Sequence, residues 1–107
     1  MRRFSRETAS VAIDYSLAPS LGFQLCEVRV HLSDVGGAQE DLTIWLDSMA
    51  GAAYDIVFLA QDMNAVKDLV YQPTRPHEFV VGDVLRVQYT NTNLETYGLE
   101  VVWSLAP

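Results

Sequence analysis

A chain of 107 residues has room for one domain, and with half its residues hydrophobic and a fifth charged it is built to bury a core. The formal charge of −7 is uneven: Arg2, Arg3 and Arg6 precede a body with four basic and fourteen acidic residues from Glu7 onward. Such a body repels nucleic acid and anionic membranes, no apolar run approaches the ~20 residues of a membrane span, and the single cysteine excludes an internal disulfide.

The first residues are basic, with Phe4 among the arginines and no apolar stretch behind them. No secretory signal is read there, and synthesis and retention in a cytoplasm are expected. Residues 1–9 read as a basic N-terminal arm, and 10–107 as a single β-sandwich domain. Ser10–Leu17 opens that domain by alternating Val11, Ile13, Tyr15 and Leu17 with polar or small residues. Phe23–Leu32 is the clearest strand. Cys26, Val28, Val30 and Leu32 share one side, which puts Glu27, Arg29, His31 and also Phe23 on the wet side. Leu42–Asp47 points Leu42, Ile44 and Leu46 inward and Trp45 outward. Tyr54–Asp62 is apolar on both faces, so a central strand is expected. Gln61–Leu69 reads as a loop with Asp68–Gln72 a short strand at its end, and His77 falls in a loop after Pro76. Asp83–Thr90 and Tyr97–Leu105 alternate again, the last with Leu99, Val101 and Trp103 together.

Turn residues separate these runs, among them Asp34-Val35-Gly36-Gly37, Met49-Ala50-Gly51, Gly82-Asp83 and Asn91-Thr92-Asn93. The pattern predicts an all-β fold, an antiparallel β-sandwich of jelly-roll type with roughly seven to eight strands.

No catalytic set is read. His31 and His77 stand apart, without a nucleophile and an orienting partner. Asp62-Met63-Asn64 begins like a calcium loop but lacks the glycine and closing glutamate, so no metal and no cofactor is expected. Cys26 reads as a small buried hydrophobe. Exposed aromatics are the better lead, because tryptophan is enriched where partners dock. Arg2, Arg3, Phe4, Arg6, Phe23 and Trp45 are the candidate partner-binding residues.

Several stretches between Cys26 and Trp103 form an ordered series. They are Val28-Arg29-Val30-His31-Leu32-Ser33, Leu42-Thr43-Ile44-Trp45-Leu46-Asp47-Ser48 and Gly51-Ala52-Ala53-Tyr54-Asp55. Further on come Phe79-Val80-Val81-Gly82-Asp83-Val84-Leu85-Arg86-Val87, Tyr89-Thr90-Asn91-Thr92 and Thr96-Tyr97-Gly98-Leu99-Glu100-Val101. The series resembles a family of small β-sandwich virion proteins of tailed bacteriophages. The resemblance implies a capsid decoration (cement) protein or head-fibre base on the outer capsid surface. Its expected partners are the major capsid protein and copies of itself, as a homotrimer, and it implies no catalytic residues. Other readings are a carbohydrate-binding or tail-associated module using Trp45 with Tyr54 or Tyr97, and a head–tail connector or tail-tube subunit.

Overall fold

Alternation of period two gives each strand one apolar face, and two such faces must be buried against each other. The computed structural model, which describes residues 1–106, shows that arrangement. Its strands are β1 (Arg2–Ala9), β2 (Ile13–Leu17), β3 (Phe23–Leu32), β4 (Asp41–Asp47), β5 (Ile56–Asp62), β6 (Asp68–Tyr71), β7 (His77–Phe79), β8 (Val84–Tyr89) and β9 (Tyr97–Leu105). Sheet A runs β1-β9-β3-β6 with β7 also against β3, and sheet B runs β2-β8-β4-β5. Every pairing is antiparallel. The two-sheet antiparallel sandwich is as the sequence predicts; its strand order, which alternation alone does not fix, is that of a jelly roll, with β6 and β7 sharing one strand position along β3. The interruption between them contains Pro73 and Pro76, which cannot donate to a ladder. Leu25, Val28, Val30, Leu42, Ile44, Leu85, Val87, Leu99 and Val101 fill the space between the sheets.

β3 does not keep one phase. Its register against β9 shifts between Leu25, opposite Trp103, and Glu27, opposite Val102, so Cys26 is a bulged extra residue. Before the bulge Phe23 and Leu25 point inward; after it Val28, Val30 and Leu32 do. Phe23 is therefore 1 % exposed and not on the wet face, and it is removed from the candidate contact residues. Cys26 is half-buried at the bulge, less enclosed than its alternation implied.

Further expectations change. Residues 2–9 are not an arm but the edge strand β1, paired with β9 from Arg2 opposite Ser104 to Ala9 opposite Tyr97. The alternation there is hard to see because the inward side carries Ser5, Glu7 and Ala9, small or polar groups whose partners come from elsewhere. Ser5 Oγ accepts from Trp103 Nε1 at 3.1 Å, and Glu7 Oε1 accepts from the Tyr97 hydroxyl at 2.8 Å. β5 is likewise an edge strand and not a central one, with Ile56 and Val57 exposed. Its second apolar side comes partly from a bulge at Phe58, since Ile44 opposes Leu59 while Trp45 opposes Val57.

Phe58 crosses from sheet B to close the open side of the sandwich. Its ring stacks on His77 of β7 at 3.9 Å and meets Phe79 edge-on at 5.9 Å, and Phe79 stacks on Phe23 at 4.4 Å. Such pairs add about 0.5–1.5 kcal/mol each beyond area burial. His77 thus lies in a strand, its Nε2 2.6 Å from the Tyr71 hydroxyl, and desolvation pushes its pKa down.

Because Phe23 anchors this aromatic row, Phe23→Ala should cost about 3–5 kcal/mol in urea unfolding. Cys26→Ala, half-exposed at a bulge, should cost less than about 1 kcal/mol. A Phe23→Ala cost as small as that of Cys26→Ala would return Phe23 to the outer face.

Candidate contact surfaces

The strand directions gather the connections at two ends. Loops 18–22, 48–55 and 80–83 meet at one end, beside the start of β1 and the close of β9. Loops 10–12, 33–40, 63–67 and 90–96 meet at the other.

The first end is apolar. Leu21, Met49, Val80 and Val81 are each 56–62 % exposed, and Tyr54 stands out from the 3-10 turn Ala52–Tyr54. The carboxylates among them are already engaged. Asp83, buried, accepts from Met49 N and Val80 N, both at 3.0 Å, and so ties two of these loops together. Asp55 accepts from Ser48 N at 2.8 Å, and Asp47 accepts from Arg86 Nε at 2.7 Å. Gly82, at φ 96, lies under the Met49 side chain, where a Cβ would come within 3.0 Å of it. Ala106 N donates to Gly22 O at 2.9 Å, holding residue 106 against loop 18–22. The exposed apolar groups therefore sit on loops fixed by hydrogen bonds.

The other end is richer in acidic and hydrogen-bonding groups, with Val11, Val35 and Leu94 exposed among them. Asn91 Nδ2 donates to Val11 O and Glu95 O, both at 2.9 Å, and Glu40 accepts from Thr92 N and Oγ1 at 2.8 and 2.7 Å. Asp41 directly opposes Asp62 on the adjoining sheet face, with Asp14 on the same face two strands away. No three His, Cys, Asp or Glu side chains among the described residues converge as metal ligands.

The residues singled out from sequence do not converge. Phe4 and Arg6 lie on the outer face of sheet A, opposite Val102 and Glu100, with the Arg6 guanidinium 5.9 Å from the Phe4 ring centre. Arg3 alternates to the other side and sits 5.5 Å from the Trp103 ring centre. Arg2 and Arg3 open β1 beside the apolar end. Trp45 does face outward, but from sheet B, in phase with Thr43 and Asp47. Its own neighbours half-cover it: the indole donates to Gln88 Oε1 at 3.0 Å and Arg86 lies 5.9 Å over the ring. Tyr97, the second aromatic of the glycan reading, is core at 1 % exposure.

Leu21, Met49, Val80, Val81 and Asp83 were not singled out from sequence. Each sits in an ordinary turn, and antiparallel topology is what brings the turns together. Exposed apolar side chains gathered at one end of a folded domain make that end the candidate interaction surface.

Removing the Asp83 carboxylate strands two backbone donors, so Asp83→Ala should cost about 2–3 kcal/mol. It should also raise amide hydrogen exchange at Met49 and Val80 far more than in the loops around Asn91; uniform acceleration would mean that Asp83 does not tie the loops. In comparison with known proteins, no family model and no curated protein matches this chain.

Proposed function

We propose that this jelly roll is a structural protein of a tailed-bacteriophage particle, a capsid decoration protein that binds the outer shell and braces it as an oligomer. The observation that carries the reading is the apolar end. Leu21, Met49, Val80 and Val81 are held out on braced loops with the nearby carboxylates engaged internally. Preorganised apolar loops lose little entropy on docking, which favours a protein partner with an apolar patch. Arg2 and Arg3 at the rim suit a partner whose own rim is acidic. The ordered series from Val28 to Val101, with its likeness to virion sandwiches, supplies the phage context. Repeated copies on a lattice would turn modest single contacts into durable attachment.

The reading is tested by sedimenting the purified protein with shells assembled without it. The native protein should pellet with shells, and Val80→Asp/Val81→Asp should weaken binding at least about tenfold, a loss of about 1.4 kcal/mol, while keeping its urea midpoint. Equal binding by the double variant, or no pelleting by the native chain, would sink the proposal.

A further inference from the structure

The outer face of sheet A carries a notch that an assembly role leaves unused. Pairing registers place its outward side chains in cross-strand rows. In one row Arg6 opposes Glu100 and Glu100 opposes Arg29. Both guanidiniums donate to Glu100, Arg6 Nε at 2.5 Å, and Arg29 also bonds Glu27. The next row reads Thr8, Gly98, His31, Asp68, with His31 Nδ1 bonded to Asp68 Oδ1. Beyond it come hydroxyls: Ser10 Oγ lies 2.7 Å from Thr96 Oγ1, and Ser33 Oγ accepts from Thr96 N at 3.0 Å.

Gly98 leaves the centre of this grid open. A Cβ there would meet nothing within 4 Å, and its φ is not in the left-handed region, so the backbone does not require glycine. Glycine inside a strand, where no bulge or bend uses it, is often a site where a ligand approaches the backbone closely. The result is an open, shallow concavity of about 590 Å³ floored by Gly98 and bordered by the charged rows. That lies within the size range of small-ligand sites.

The chemistry selects the ligand class. Arg6 and Arg29 are matched by Glu100 and Glu27, and Asp68 pairs with His31, so a free ion gains little net attraction. What remains is a set of oriented donors and acceptors: guanidinium N–H groups, carboxylate lone pairs, the Thr8 hydroxyl oxygen, whose proton goes to Tyr97 O, and the His31 ring. The hydrogen bond from Arg6, with Arg29 beside it, holds the Glu100 carboxyl below its ordinary range, so it stays an acceptor. The Gly98 backbone and exposed Val70, opposite Arg29, offer C–H surface beside these polar groups. A ring with hydroxyls at its edge and C–H groups on its face matches both.

We propose that the notch over Gly98 is a binding site for a neutral saccharide, whose hydroxyls bridge the Arg6–Glu100–Arg29 row and the Thr8–His31 row. The site is separate from Trp45, which lies on the other sheet.

The test takes the full chain, fluorescently labelled, over an array of neutral and sialylated oligosaccharides, followed by amide-shift titration with the strongest neutral glycan. Binding should shift the amides of Thr8, His31, Gly98 and Glu100. Gly98→Val, which fills the notch, should weaken it at least tenfold while keeping the urea midpoint. His31→Ala, at an exposed side chain, should also weaken binding and covers the case in which the valine variant misfolds. Retention of sialylated glycans alone, no glycan retained, shifts confined to Trp45 and its neighbours, or binding that survives the substitutions would each overturn the assignment.

Discussion

A single extra residue in β3 fixes which way the side chains of sheet A point. β3 is the strand against which β9, β6 and β7 all pair, so its phase is inherited by its neighbours. With Cys26 bulged out of the ladder, Phe23 and Leu25 join Val28, Val30 and Leu32 on the inner side. Without the bulge one of the two groups would face water, because a one-residue shift sends a strand's side chains to the opposite face. The inner consequence is the aromatic row from Trp103 through Phe23 and Phe79 to Phe58, which closes the sandwich across its open side. The outer consequence is that Glu27, Arg29 and His31 stand in line with Glu100 and Gly98 of β9, where the charged rows and the notch between them arise.

The two ends of the barrel-like sandwich are held together by different chemistry. At the acidic end, Asn91 and Glu40 spend their side chains on neighbouring loops, and Val11, Val35 and Leu94 are exposed on separate loops around them. At the other end, Asp83 achieves a comparable bracing from below, leaving Leu21, Met49, Val80 and Val81 uppermost. Bracing from inside with exposed hydrocarbon outside favours contact over solubility. It supports the proposal that this end is the face turned toward a partner.

Much of the fold was legible because alternation over β2, β4, β8 and β9 is regular and one face of each is packed. The failures have physical causes. The reading of β3 began its alternation at Cys26, the one residue that belongs to neither phase, and so misplaced Phe23. β1 hid because its inward residues Ser5, Glu7 and Ala9 draw stability from pairing and hydrogen bonds and not from apolar burial. β7, three residues long after Pro76, offers too little sequence for a period to show. Trp45 was placed on the correct face, but its cover by Arg86 and Gln88 depends on a neighbouring strand. The apolar end and the Gly98 notch were beyond reach for the same reason: each is assembled from strands and loops distant in sequence, and no local pattern announces it.

The phase switch at Cys26 is tested most directly by deleting that residue and following urea unfolding together with the near-ultraviolet aromatic signal. The deletion should abolish the native aromatic signal, or lower stability by at least the roughly 3–5 kcal/mol of a large core truncation, because Phe23 and Leu25 can no longer face inward in register with β9. A deletion protein with the native signal and an unchanged midpoint would contradict the account, since β3 would then be keeping its inner face without the extra residue.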